Sequence, residues 1–193
     1  MRRLVIKATL SPQPRRPTVD NRSQFAARRR VRRLSVALLL AGLWSAPLAS
    51  ASEFNDGERA YARADYARAG AIFSREAERG QAAAQAYLGY MYAQGLGVPK
   101  DEVQAVQWLR RAADQGYPAA QFLLGLMIDK GHGAKQDFVE AEVWLDLAAA
   151  RARSKERDYW TRIREAVASK LTRAELAEAQ KRALEWLPVQ ERE

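Results

Sequence analysis

The chain repeats itself at an interval of 36 residues, and this repeat constrains its fold more than any other feature. Residues 80–113 align with residues 116–149 without a gap, and 16 of the 34 positions are identical. The identical pairs include Gly89/Gly125, Gly97/Gly133, Trp108/Trp144 and Leu109/Leu145. A fixed period of this length indicates stacked units, each too small to bury its apolar face alone.

Each unit is predicted to be a pair of helices. Apolar residues recur at helical spacing in residues 84–93 and again in residues 103–113. Between them, Gly95 is typical of a helix C-terminus, and Pro99 cannot continue the first helix. Aspartate precedes each second helix, with Gln or Glu three residues later, which predicts capping boxes at Asp101/Gln104 and Asp137/Glu140.

The pattern divides the chain into a leader, a repeat region and a C-terminal segment. The 36-residue offset also holds one unit earlier, as far back as Asp65. In this first unit the connection between the two helices is four residues shorter than in the other two. Residues 52–152 are therefore predicted to form three helical hairpins, at about 53–80, 81–116 and 117–152. We interpret residues 153–193 as a helical cap that covers the open end of the stack. A capping box at Thr172–Glu175 opens its second helix, whose apolar face is expected to comprise Leu176, Ala179, Ala183, Leu184 and Leu187.

Residues 1–51 have the three parts of a secretory signal peptide. Residues 28–33 contain five arginines, residues 34–44 are mostly apolar, and the small residues Ala49 and Ala51 follow. We therefore expect export to the periplasm, with cleavage after Ala51. The alternative is an uncleaved membrane anchor, although Pro47 interrupts the apolar run before the roughly 20 residues that a membrane span needs.

The positive charge of the chain is confined to this leader. The whole chain has a net charge of +9, but residues 1–51 contain 11 of the 32 basic residues and one of the 23 acidic residues. Residues 52–193 are therefore close to neutral, so we expect neither nucleic acid nor, after cleavage, a membrane as partner. With no cysteine and one histidine, a thiol nucleophile, a disulfide and a histidine-rich metal site are excluded. No metal or cofactor is expected.

The repeated residues resemble a known family. Residues 84–89, Ala-Gln-Ala-Tyr-Leu-Gly, are followed by Tyr92, by Gly95-Leu-Gly-Val98 and by Trp108-Leu109, and this arrangement is similar to the Sel1-like repeat, a relative of the tetratricopeptide repeat. Residues 116–149 resemble it again, with departures at Ile128 and Ala134. The resemblance implies an all-α, right-handed solenoid that serves as a scaffold for protein–protein interaction.

The resemblance also implies a binding surface, because the first helix of each hairpin lines the concave face in tetratricopeptide-like stacks. Its ligand-facing spacing, carried over to this chain, gives Phe54, Glu58, Tyr61, Ala86, Tyr90, Gln94, Phe122, Leu126, Asp129 and Lys130. Tyr90 and Phe122 would suit aromatic anchors for a peptide or helix. The alternative, that they pack between units, is favoured for Phe122 and is equally open for Tyr90.

No catalytic motif accompanies the repeat. Ser-x-x-Lys, Gly-x-Ser-x-Gly and phosphate-loop patterns are absent, and His132 is expected to be a solvated loop residue. Acidic pairs such as Glu140/Glu142 fall on helix faces or caps. The sequence therefore favours a non-enzymatic adaptor for another protein. A small cell-envelope enzyme or enzyme subunit that uses acidic residues, and a scaffold that keeps its leader as an anchor, are the alternatives.

Overall fold

The computed structural model of the protein describes residues 47–189 and residue 191. Residues 1–46, which contain the arginine-rich segment and the apolar run of the predicted signal peptide, lie outside this range. Every regular element within it is an α-helix: α1 (Pro47–Ala62), α2 (Tyr66–Glu78), α3 (Ala82–Gln94), α4 (Glu102–Asp114), α5 (Pro118–Lys130), α6 (Phe138–Arg151), α7 (Ser154–Ala168) and α8 (Arg173–Glu185). None of these helices combines the length and apolarity needed to cross a membrane.

The first six helices form three antiparallel hairpins that stack in order. We call them hairpin one (α1–α2), hairpin two (α3–α4) and hairpin three (α5–α6). Within each hairpin the two helices pack together, and the second helix also packs against the first helix of the next hairpin. The predicted all-α solenoid is confirmed. Because each hairpin packs against its neighbours along the stack, we expect its stability to depend mainly on those neighbouring interfaces.

Two glycines of the repeat allow one hairpin to approach the next. Gly97 lies in the loop between α3 and α4, where an added methyl group would stand 2.4 Å from the backbone of Tyr66 at the start of α2. Gly133, its equivalent in hairpin three, lies against the start of α4, where a methyl group would be 1.9 Å from the carbonyl oxygen of Glu102. Both also have a positive φ. Only glycine satisfies both requirements.

The helix caps confirm the predicted N-terminal aspartates but not both halves of the predicted capping boxes. Asp101 accepts hydrogen bonds from the backbone N–H groups of Val103 and Gln104, both at 2.9 Å. Its own N–H donates to the carbonyl oxygen of Tyr92, at 3.0 Å, so Gln104 has no free partner there. The box predicted at Thr172 is confirmed, because the Thr172 backbone N–H donates a 2.8 Å hydrogen bond to the Glu175 carboxylate.

Asp137 likewise caps α6, by accepting a hydrogen bond from the backbone N–H of Glu140 at 2.9 Å. The Glu140 carboxylate turns elsewhere. It pairs with Arg110 of α4 at 2.7 Å and accepts a hydrogen bond from the Trp144 indole at 3.3 Å. Glu140 therefore links hairpin three to hairpin two, which is a role that local sequence spacing does not reveal.

The last two helices cap the stack, but they do so separately. Both α7 and α8 pack against α6, whereas contact between α7 and α8 is slight. Trp160 and Val167 of α7 and Ala179 of α8 are buried in the core of hairpin three. The apolar face predicted for α8 is partly wrong, because Leu184 and Leu187 are 88% and 79% exposed. Leu187 lies beyond the end of the helix at Glu185, where the chain becomes extended.

Candidate functional site

A group of tyrosines lies where the first helices of hairpins one and two meet. We use the name tyrosine cluster for Tyr61 of α1, Tyr87 and Tyr90 of α3, and Tyr117, which precedes α5. The rings of Tyr61 and Tyr87 meet edge to face, with centroids 5.4 Å apart. Tyr87 also stacks on Phe73 of α2 at 4.6 Å, nearly parallel at 11°. This packing fixes the orientations of the Tyr61 and Tyr87 rings before any partner binds.

One carboxylate lies among these phenols. Glu58 of α1 is exposed and accepts a hydrogen bond from the Tyr87 hydroxyl at 3.2 Å. Burial, together with the Glu58 carboxylate, raises the pKa of Tyr87, and burial raises the pKa of Tyr61 to about 12. The hydroxyl groups of Tyr61 and Tyr87 are therefore neutral at physiological pH. The surface presents aromatic faces, hydroxyl groups and the negative charge of Glu58.

The structure brings together three of the residues that the sequence proposed for binding. Tyr61 and Glu58 lie within the cluster or beside it, and Tyr90 is 36% exposed, which leaves part of its ring accessible. Phe54 is half-buried, because it packs between Phe73 and Tyr87 at 5.6 and 6.0 Å. It supports the cluster from below.

Other residues of that proposed surface are buried or lie apart from the cluster. Ala86 and Phe122 are only 5% and 6% exposed. Phe122 stacks on Trp160 of α7 at 4.8 Å, nearly parallel at 9°, so its packing between units is the better interpretation. Asp129 forms an ion pair with Lys170, which holds the loop after α7 against α5. Leu126 is half-buried against the core of hairpin three, and Gln94 and Lys130 are exposed at helix ends.

Tyr87 and Tyr117 belong to the cluster, but sequence reasoning missed them. A signal for Tyr87 was present: it stands three residues before Tyr90 on one helix, so the two share a face. Tyr87 and Tyr90 also depart from the repeat, because the equivalent positions in the next unit are Leu123 and Leu126. Aromatic residues that replace a repeated apolar position on one helix face were the observable feature.

A depression lies beside Trp144, between α6 and α8. Asp137, Glu140, Trp144, Arg182 and Trp186 contribute to its lining. Its acidic residues already have partners, since Asp137 caps α6 and Glu140 pairs with Arg110. In the part of the chain that the structure describes, no three His, Cys, Asp or Glu side chains are grouped so that they could hold a metal ion.

Comparison with known proteins agrees with this architecture. The family model described as the Sel1 repeat matches residues 82–117 and 118–152, which correspond to hairpins two and three. The structure of a protective antigen from uropathogenic Escherichia coli that displays an SLR fold is 33% identical, with a TM-score of 0.65 over 71% of this chain. A Sel1 repeat protein from Oxalobacter formigenes is 36% identical over 44% of this chain, with a TM-score of 0.43.

The chain spans 29% and 25% of the lengths of these two proteins. Among curated proteins, none matches.

Proposed function

We propose that the chain is a member of the Sel1 repeat family, whose model matches residues 82–152, and that it is a non-enzymatic adaptor that binds a segment of another protein. Sel1 repeat scaffolds commonly mediate protein interaction. The surface we propose for this binding is the tyrosine cluster with Glu58. The proposal depends on one observation above all: Tyr61 and Tyr87 are packed edge to face, and Tyr90, on the same helix as Tyr87, is 36% exposed.

The chemistry of the surface indicates the kind of segment it would bind. Tyrosine faces attract cations, and an attraction of this kind contributes about 0.5–2 kcal/mol when the cation is partly desolvated. Glu58 adds a negative charge beside the rings. A segment with a lysine or arginine beside an apolar residue would therefore satisfy both features. Rigid aromatic anchors lose little side-chain entropy on binding, which favours them as hot spots.

The location we propose is the periplasm, after cleavage behind Ala51. The support comes from the arginine-rich segment, apolar run and small residues at the end of the leader. Mass spectrometry of the exported protein tests this proposal directly. A mature N-terminus at Ser52 is the expected result, whereas an intact leader would favour the anchored scaffold.

Substitution in the cluster tests the binding surface. The mature protein is used to capture partners from a periplasmic extract, and the affinity of the captured protein for each variant is then measured. Tyr90→Ala is expected to weaken binding at least tenfold, because a central aromatic anchor contributes at least about 1.4 kcal/mol. Glu58→Gln, which keeps the shape and removes the charge, is expected to weaken a cationic partner by a smaller factor.

Leu184→Ala is the matched control. Leu184 is a large apolar side chain, 88% exposed, on α8, far along the chain from the cluster. Its removal should leave binding unchanged. If both cluster variants bind the partner like the wild type while circular dichroism shows them folded, the tyrosine cluster is not the binding surface. A loss of function on removal of buried or paired carboxylates alone, such as Glu140, would instead favour the enzyme alternative.

A further inference from the structure

The C-terminal segment returns along the edge of the stack. We call this the turn edge: it is the side where the α2–α3 and α4–α5 turns lie, at Gly80 and Gly116. After α8 ends at Glu185, the chain is extended, and the backbone N–H of Val189 donates a 2.8 Å hydrogen bond to the carbonyl oxygen of Asp114. The segment after α8 therefore lies against hairpin two in an extended conformation, as a bound peptide would.

A carboxylate anchors the far end of this segment. The Arg111 side chain donates two hydrogen bonds to the two carboxylate oxygens of Glu191, from Nε at 3.0 Å and from Nη2 at 2.7 Å. Gln85 donates a third, from Nε2 at 2.8 Å. The Arg111 guanidinium lowers the pKa of the Glu191 carboxyl, so this group is ionised at neutral pH. Bidentate pairs of this kind are specific for a carboxylate.

The receiving side chains are themselves held in place. The guanidinium of Arg111 lies over the ring of Trp108, 4.7 Å from its centroid. Gln85 is fully buried, and its carbonyl oxygen accepts a hydrogen bond from Gln115 at 2.8 Å. Both groups are therefore held by contacts within hairpin two as well as by the C-terminal segment. Prior orientation of this kind lowers the entropic cost of binding a ligand.

The turns at this edge have no side chain where the segment crosses them. At Gly116 an added methyl group would stand 3.3 Å from the Trp186 ring, and at Gly80 it would stand 3.3 Å from the Cβ atom of Glu191. The edge is therefore shaped to accept a crossing chain. The next turn does not offer these groups, because Ala152, Leu147 and Arg151 replace Gly116, Arg111 and Gln115.

We propose that the turn edge is a binding site for an extended peptide with an aromatic residue and, five positions later, a carboxylate. The chain's own residues 186–189 and Glu191 occupy it in cis. Attachment to α8 gives this segment an effective concentration in the millimolar range, so it competes with any peptide of the same kind offered from outside. The site is built from Arg111, Gln85 and the turns at Gly80 and Gly116, none of which belongs to the tyrosine cluster, and it does not depend on the function proposed for that cluster.

A fluorescent peptide that corresponds to residues 185–193 tests the proposal by anisotropy. It is titrated with the full chain and with the full chain carrying Glu191→Gln, which weakens the cis segment and leaves Arg111 and Gln85 intact. The peptide should bind the Glu191→Gln chain at least tenfold more tightly than the wild type. The same peptide with glutamine at its own position 191 should bind neither chain. Adding Arg111→Gln to the Glu191→Gln chain should abolish binding of the first peptide.

A second variant covers the case in which one substitution does not release the segment. Trp186→Ala combined with Glu191→Gln removes both ends of the cis contact, and amide exchange of Val189 reports the release. Failure of the peptide to bind this double variant, once Val189 exchanges freely and the helices are intact, would overturn the proposal. Binding of equal strength to the wild type and to the released chain would overturn it as well, because it would show a different site.

Discussion

Hairpins two and three share their backbone devices and differ in what they present to their neighbours. In each, a glycine that faces the second helix lies close to a leucine, so that a methyl group on Gly89 or Gly125 would meet Leu109 or Leu145 at 2.7 or 2.8 Å. In each, a buried glutamine donates a 3.1 Å hydrogen bond to the last turn of the preceding hairpin. The repeated residues thus build and stack the hairpin.

The positions that differ between the two hairpins contact the surroundings that are particular to each hairpin. Hairpin two presents Tyr87 and Tyr90 where hairpin three has Leu123 and Leu126. Gln85 has both ends of its amide paired, whereas the side-chain oxygen of Gln121 has no partner in the described part of the chain. Hairpin two is therefore adapted to a free surface and to the C-terminal segment, and hairpin three to the helices that cap it.

Substitution of the two repeated tryptophans should show the largest difference in stability between hairpins two and three. Trp144 is buried, with Trp186 of the C-terminal segment edge-on at 6.4 Å, whereas Trp108 is half-buried beneath Arg111. Trp144→Ala is expected to lower the free energy of unfolding by about 3–5 kcal/mol, as is typical of buried aromatic residues. Trp108→Ala should cost about half as much. Urea denaturation of the two variants measures the difference, and equal losses would contradict the contrast between the hairpins.

The stacking glycines should instead behave alike in both hairpins. Gly133→Ala brings a methyl group against the start of α4 and keeps an unfavourable positive φ, so we expect a loss of about 2–4 kcal/mol. Gly97→Ala meets the start of α2 in the same way and should lose a similar amount. Thermal unfolding followed by circular dichroism gives both values.

Gly131→Ala is the control for that pair. Gly131 also has a positive φ, of 70°, but a methyl group there would approach nothing closer than Gln136, at 3.4 Å. Its cost should be limited to the backbone strain, about 1 kcal/mol. A loss at Gly131 as large as at Gly133 would show that strain, and not the contact between hairpins, explains the recurrence of these glycines.

The sequence predicted the framework well because the framework repeats. The hairpin order, the aspartate caps and the all-α class followed from the 36-residue period. Each residue that is identical in two units indicates the same structural role in both hairpins. The end of the chain has no second copy. Its apolar pattern suggested a face that includes Leu184 and Leu187, which the structure leaves exposed. The return of Val189 and Glu191 to hairpin two depends on contacts across more than 70 residues, and no local pattern encodes them.

The candidate site was only partly predictable for a related reason. The spacing taken from related repeats identified Tyr61, Glu58 and Tyr90 but also selected Phe122, which a ring of α7 covers. Spacing gives the direction of a side chain from its helix. It does not report what another helix places over it. Residues that depart from the repeat, such as Tyr87, would have been the better guide.

A buried carboxylate in hairpin three should make the stability of the protein depend on pH. Glu142 stands where hairpin two has Val106, and it is 1% exposed. Burial, with the nearby Asp146 carboxylate, raises the pKa of Glu142 to about 7, although Arg164 opposes the shift. In the unfolded chain the same group titrates near pH 4.3. The folded state therefore holds a proton on Glu142 in a range where the unfolded state has released it.

Stability should consequently fall as the pH rises from about 4.5 to 7, because the stabilising contribution is complete below the unfolded pKa and is lost through the folded one. Glu142→Gln keeps the shape and cannot ionise. We expect it to match the wild type at pH 5 and to exceed it by about 2 kcal/mol at pH 8, measured by urea denaturation at both values. Glu178→Gln, an exposed carboxylate on α8, is the control and should leave the wild-type pH dependence intact. If Glu142→Gln loses stability equally at both pH values, the carboxylate forms a charged interaction that hairpin three needs, and the equivalence with Val106 as an apolar position is wrong.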